Sequence, residues 1–268
     1  MDQTHNILAV FATLFGIAIG SFLNVVIYRV PLRRKFWKLN QRSYCPKCRH
    51  KLGTLDLVPV LSYLFLRGRC RYCHKPISPQ YIAVELITGA YFLFTFWIYG
   101  VSWLALVGII GGCALLALAF IDGLKRIVLD AISLPAIGAV VFLQILVACT
   151  TYANIMDALR YFGLVLLAGV IGGMWFALQW LLSRGKWVGS GDIRIGVLMG
   201  VTLGIPALLL ALFASYIGGS IWAAGLLVAK KVNMKSRIPF GVFLGAAGML
   251  SFLFSSSVVS WYQRLIGW

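Results

Sequence analysis

Residues Trp103 to Arg126 read WLALVGIIGGCALLALAFIDGLKR. The 19 residues from Trp103 to Ile121 carry no charge, about the length that crosses a bilayer as one helix. A carboxylate, Asp122, and two cations, Lys125 and Arg126, follow at once. An apolar helix that stops in a cationic cluster is a membrane span with its basic end toward the cytoplasm.

The rest of the chain has the same character. Of 268 residues, 61% are hydrophobic and 12% charged, against roughly half and a quarter in a soluble domain. Mean hydropathy is +0.91. About 160 apolar residues, at roughly 20 per crossing, supply about eight spans. A soluble enzyme, a disordered chain and a single-span anchor are excluded. So is a β-barrel, whose strands alternate instead of running apolar. The expected spans are about 7–28, 81–99, 103–121, 131–150, 158–182, 193–203, 206–229 and 239–261, with GIP (204–206) dividing the long stretch after Asp192. The expected fold is therefore an all-α polytopic membrane protein of about eight transmembrane helices. Its parts are a first helix (1–28), a polar cytoplasmic subdomain (29–80) and a membrane domain of about seven helices (81–268). The first span lacks a basic leading segment and is too long to be a cleavable signal peptide.

Lys and Arg outnumber Asp and Glu by 24 to 7, a formal net charge of +17. On a soluble protein that excess points to nucleic acid. Here its placement explains it. Twenty-two of the 24 cations lie in 29–75, at Lys125 and Arg126, in 184–194 and in 230–237. Eight crossings that start outside put all four clusters in the cytoplasm and both termini outside. Anionic membrane lipids, not nucleic acid, are the expected partners of this charge.

Two cysteine pairs, CPKC (Cys45, Cys48) and CRYC (Cys70, Cys73), stand 21 residues apart in the polar segment. Each pair reads as a knuckle, and four thiolates suit a closed, structural Zn²⁺ site. Two disulfides are the alternative, disfavoured in a reducing cytoplasm. His50 and His74 lie off the knuckle positions and read as surface residues. The segment has few apolar residues, so the metal would serve as its staple. Cys113 and Cys149 sit in spans and read as inert core residues. Small residues four apart, such as Gly16/Gly20, Gly169/Gly173 and Gly241/Gly245, read as close helix packing.

The seven acidic residues are Asp2, Asp56, Glu85, Asp122, Asp130, Asp157 and Asp192. A carboxylate at a span boundary is a functional candidate. Asp122 ends the third span, and Asp192 opens the sixth behind Gly189-Ser190-Gly191, whose glycines let the backbone come close to a substrate. Two nearby carboxylates cannot both ionise, so they share a proton and together supply an acid and a base for amide hydrolysis. Helix capping is the competing reading for Asp130, Asp157 and Asp192, each of which precedes an apolar run. It is accepted for Asp157 and left open for Asp130. It fits Asp122 poorly, because a helix C-terminus disfavours an anion.

Together these features resemble the bacterial type IV prepilin peptidases, bifunctional leader peptidase/N-methyltransferases, over nearly the whole chain. GSFLNVVIYRVP (20–31) is similar to the family's opening signature, and the two cysteine pairs to its zinc motif. RGRC (67–70), Cys73, PIS (76–78) and Val84-Glu85 resemble the end of that subdomain. Residues 122–130 resemble the motif around the first catalytic aspartate, and Gly189-Ser190-Gly191-Asp192 the Gly-x-Gly-Asp motif that carries the second. The resemblance implies catalysis by Asp122 and Asp192, with Gly189, Gly191 and Asp130 supporting the loops. Val128-Leu129-Asp130 departs from the family's Ile-Pro-Asp. The implied activity is removal of a short basic leader from prepilins or pseudopilins after a glycine at the cytoplasmic face of the inner membrane. N-methylation of the new terminus with S-adenosylmethionine would follow. No Rossmann-type glycine fingerprint marks a methyl-donor site.

Two rivals come from other classes. Intramembrane carboxylates also line ion paths, but both aspartates lie at the boundary and no inverted repeat is visible. A non-enzymatic assembly protein would use the zinc segment for docking. Glu85 is expected either to recognise the basic leader or to hold the loop over the dyad, with an ordinary ion pair as its plain alternative.

Overall fold

In an apolar medium a backbone must satisfy its own N–H and C=O groups, so each apolar run forms a helix. The structure, a computed structural model, describes residues 3–32, 43–233, 236 and 238–265. Its helices are α1 (Gln3–Arg29), α2 (Leu61–Phe65), α3 (Gln80–Tyr99), α4 (Trp103–Lys125), α5 (Asp130–Thr151), α6 (Ile155–Ser183), α7 (Ser190–Leu203), α8 (Ile205–Val228) and α9 (Gly241–Leu265). Among the described residues there is no strand, only two isolated bridges. Helices α1, α3, α4, α5, α6, α8 and α9 are long and apolar enough to cross a membrane.

That makes seven such helices among the described residues, where the sequence led us to expect about eight spans. The remaining one, expected at 193–203, is α7. Its 14 residues extend about 21 Å, short of the roughly 30 Å hydrocarbon core. It is instead enclosed by protein, with Ile195, Leu198 and Met199 at most 1% exposed. Gly204 takes a left-handed φ of 72°, which ends α7 and starts α8, so the expected break is real.

The chain divides into two compact units, 1–97 and 98–268. In the first, α1 and most of α3 run antiparallel. Gly16 faces Phe92 and Gly20 faces the Glu85 backbone, close enough that a Cβ on either would fall 2.7 Å from its neighbour. The four-cysteine segment lies between these helices in sequence.

In the second unit α7 lies against α6 so closely that Gly172 and Gly196 meet backbone to backbone. Small-residue packing of this kind is the usual means of helix association in lipid. Buried Gln144 of α5 donates to the Val201 carbonyl at 2.8 Å and accepts from the Tyr161 hydroxyl at 2.7 Å. These bonds fix α5, α6 and α7 together. Two expectations need correction. The cap of α6 is Asn154, whose side chain accepts from Met156 N–H at 3.1 Å, and Asp157 sits a turn inside. Cys149 is exposed and so is not a core residue, whereas Cys113 is partly buried.

Candidate active site and four-cysteine centre

Asp122 lies in the last turn of α4 and is 8% exposed. It does not face its own helix end. Its Oδ2 accepts from the N–H of Gly241, the first residue of α9, at 2.8 Å. The positive end of α9 therefore meets an anion that α4 delivers. A Cβ on residue 241 would stand 2.8 Å from Oδ2, so only glycine leaves room. Arg126, in a left-handed conformation, ends α4 by donating to the Asp122 carbonyl.

Asp192 is the third residue of α7, also 8% exposed. Its Oδ2 accepts from the Gly189 N–H at 3.0 Å, as the third residue of a capping box does. The two aspartates are thus held alike, one oxygen each on a helix-start N–H. Both line one cavity of about 1190 Å³.

The supporting residues act in different ways. A Cβ on Gly191 would fall 2.5 Å from Val128 Cβ, so the motif's second glycine admits the loop before α5. At Gly189 a Cβ would meet only Asp192 Oδ2 and the Gly191 nitrogen, at an ordinary 3.7 and 3.9 Å. There the N–H matters, not the missing side chain. Asp130 is exposed and pairs with Arg194 at 3.0 Å, tying the start of α5 to α7. The cavity wall also includes Gln179, Tyr216, Phe240 and Phe243. Tyr216 donates to Gln179 at 2.8 Å. These residues and Gly241 escaped the sequence reading. Gly241 was visible only as one half of a Gly241/Gly245 spacing, and nothing in sequence links it to a residue 119 positions earlier.

In the first unit the two cysteine pairs form near-identical turns. Cys45 N–H donates to His50 O and Arg49 N–H to Cys45 O; Cys70 N–H donates to Lys75 O and His74 N–H to Cys70 O. Bridges Tyr44–Lys51 and Arg69–Pro76 close the two turns, and Arg49 and His74 take left-handed φ values of 59° and 55°. The four Sγ atoms of Cys45, Cys48, Cys70 and Cys73 lie within 4.8 Å of one another. Cys45 and Cys73 Sγ are 3.9 Å apart, near the edge of about 3.8 Å expected for a tetrahedron of Zn–S bonds and far beyond a disulfide bond. Burial raises the Cys45 thiol, but the N–H groups of Cys48 and Lys47 and the neighbouring thiols outweigh it and bring it to about 7. The donor set and spacing fit a divalent metal of the zinc type.

Asp56 steadies the second knuckle. Its carboxylate accepts from Arg71 at 2.7 Å, from Gly53 N–H at 3.0 Å and from Tyr72 at 3.3 Å. Burial raises its carboxyl, yet these donors hold it below the ordinary range. Glu85, 8% exposed, accepts from Val60 N–H at 2.7 Å, where Val60 has a left-handed φ of 59°. His50 stacks on Tyr72 with ring centres 3.6 Å apart.

Residues 14–99 match the model of the Bacterial Peptidase A24 N-terminal domain. The whole chain is similar to proteins named prepilin leader peptidase/N-methyltransferase. That of Aeromonas hydrophila is 32% identical, covering 93% of this chain and 91% of the relative. That of Neisseria gonorrhoeae is 32% identical over 94% and 93%, and that of Legionella pneumophila 31% over 93% and 92%. No solved structure matches the chain.

Proposed function

The chain belongs to the prepilin leader peptidase/N-methyltransferase family, and on that premise we propose that it is an aspartic endopeptidase working at the cytoplasmic face of the inner membrane. Its substrates are type IV prepilins or pseudopilins, cut after a glycine that ends a short basic leader. The observation that carries this reading is the pair Asp122 and Asp192. They arrive from separate helices, line one cavity and are each held by a helix-start N–H.

The chemistry follows from two carboxylates that hold one proton between them. The ionised one takes a proton from water as the water oxygen attacks the scissile carbonyl carbon. The protonated one gives its proton to the leaving nitrogen as the C–N bond breaks. With one oxygen of each carboxylate tied by a backbone N–H, the other is the one free to act. The Gly191–Val128 contact and the Asp130–Arg194 pair hold the loops that aim them. A prepilin's apolar helix brings it into the same membrane, and its scissile bond then lies at headgroup level, where these carboxylates end and start their helices.

Cys45, Cys48, Cys70 and Cys73 would hold one Zn²⁺, which supplies a closed structural cross-link with no open position for catalysis. The basic clusters support a cytoplasmic side for the knuckles and the dyad and suit anionic lipid. The family name implies a second step, N-methylation of the new pilin terminus with S-adenosylmethionine as donor. Co-expression with a prepilin, followed by mass spectrometry of the pilin N-terminus, tests both steps. A leaderless, methylated terminus is expected. A pilin that keeps its leader would contradict the peptidase reading, and a leaderless but unmethylated one the methyltransferase reading.

A further inference from the structure

Residues 54–66 of the first unit present two faces. Leu57, Ser62, Tyr63 and Leu66 turn inward and line a cavity of about 610 Å³. Leu61, Leu64 and Phe65 share the other side of α2, as residues three and four apart do. All three are exposed, Phe65 by 82%, and so is Leu55 just before them. Four large apolar side chains this close together form a patch, and a patch marks a surface with a partner. Two hydrogen bonds fix its depth. Val60 N–H, at the start of α2, donates to Glu85 Oε2 at 2.7 Å. Glu85 lies five residues beyond Gln80, the first of α3, about 7 Å along the axis. Helical side chains lean back toward the N-terminus, so its carboxylate stands near the first turn of a helix long and apolar enough to cross a membrane. On the other side Asn24 of α1 donates to the Tyr81 carbonyl at 2.9 Å, five residues before α1 ends at Arg29. Helix α2 therefore starts beside the ends of two spans, not above them.

At that level a bilayer offers headgroups and the first acyl carbons. Apolar side chains bury there while flanking cations reach back to the headgroups. The charge agrees. Between residues 43 and 79 seven Lys and Arg stand against one acid, Asp56, which Arg71 already engages. Arg67 and Arg69, both exposed, follow α2 directly. This excess suits anionic headgroups and repels the basic leader of a prepilin. We propose that residues 54–66 lie in the headgroup–acyl boundary of the leaflet where α1 ends and α3 begins. Leu55, Leu61, Leu64 and Phe65 dip among the acyl chains, and Arg67 and Arg69 rest on anionic phosphates. The four-cysteine segment is thereby moored to the bilayer between its two spans. Glu85 is the mooring point: its bond holds Val60 at a left-handed φ of 59°, which a β-branched residue rarely takes. The partner is lipid, so this surface stands or falls apart from the two activities proposed above.

The test is photolabelling of the purified full chain in nanodiscs of phosphatidylglycerol and phosphatidylcholine whose acyl chains carry a diazirine, with adducts located by mass spectrometry. Adducts are expected within 55–65 as well as on α1 and α3. In phosphatidylcholine alone the yield within 55–65, measured against that on α3, should fall about fivefold. Arg67→Gln combined with Arg69→Gln should bring the same fall in the mixed bilayer, and Leu64→Gln combined with Phe65→Gln should remove the label from 55–65, in proteins that keep wild-type helix content. Labels confined to the spans of the unaltered chain, with 55–65 unmarked, would overturn the proposal whatever the variants do. So would loss of these labels on adding a prepilin with an uncleavable leader, which would give the face to the substrate's apolar helix. Equal yields in the two bilayers would overturn the contact with anionic headgroups.

Discussion

Asp122 caps a helix it does not belong to, and that fact governs what its neighbours must be. Gly241 supplies the N–H and has no room for a side chain. Gly241→Ala should push the carboxylate out of line and lower kcat for leader removal by about 10²-fold, the usual cost of an ångström-scale misplacement, with KM little changed. Steady-state cleavage of a purified prepilin checks this, and an unaltered kcat would remove Gly241 from the site. Asp130 touches the site only through Arg194 and Val128's loop. Its exposed pair is worth little by itself, so Asp130→Ala should slow cleavage several-fold less than loss of either dyad member. The aspartates could be found in sequence because carboxylates are rare in apolar runs and one sits in a Gly-x-Gly-Asp motif. Gly241 could not, because its role is a backbone N–H, which any residue type carries, and the steric limit appears only when α9 meets α4.

At the scale of elements, the four-cysteine segment is held by its two knuckles and by the Asp56 clip, with little apolar core. Elemental analysis should find one zinc per chain, and none once Cys45 and Cys48 are both replaced by Ser. That variant should be cut rapidly by protease between residues 43 and 80, because structural zinc sites contribute their binding energy to folding. Retention of zinc by the double variant would rule out the four-thiolate site. Asp56 adds a pH dependence. Its folded carboxyl is held below the ordinary value, so its contribution is complete above the unfolded value of about 3.9 and is lost as pH falls through the lower folded one. Proteolysis of the 53–72 turn should rise over that acid window in the wild type, and should already be raised at neutral pH in Asp56→Asn. A cysteine spacing announces a metal because few ligand types and short turns can make one. The pseudo-symmetry of the two turns was not legible, since it lies in hydrogen bonds that the differing sequences CPKCRH and CRYCHK both form.

At the scale of the whole molecule, hydropathy located every long helix, because hydrocarbon leaves the backbone no alternative to a helix. It did not reveal that α7 is enclosed by protein, since an apolar run facing lipid and one facing other helices look the same. Residues of 184–194 and of 236–240 line one cavity, so α7 and α8 together return the chain to the same end of the bundle; on the proposed topology that end is inside and the turn at Val101 outside. A cysteine at Val101, which is 88% exposed, should react with an impermeant maleimide on intact spheroplasts, and one at Lys231 only after permeabilisation, each against the parent chain. The reverse pattern would invert the topology and put the dyad on the wrong side for a cytoplasmic leader. The central claim is that Asp122 and Asp192 act as one catalytic unit. The most direct measurement is single-turnover cleavage of a prepilin by purified Asp122→Asn and Asp192→Asn proteins that retain wild-type helix content. Each should be slower than wild type by at least about 10²–10⁴-fold, and the double variant hardly slower than either single one. Cleavage near the wild-type rate by either single variant would contradict the account.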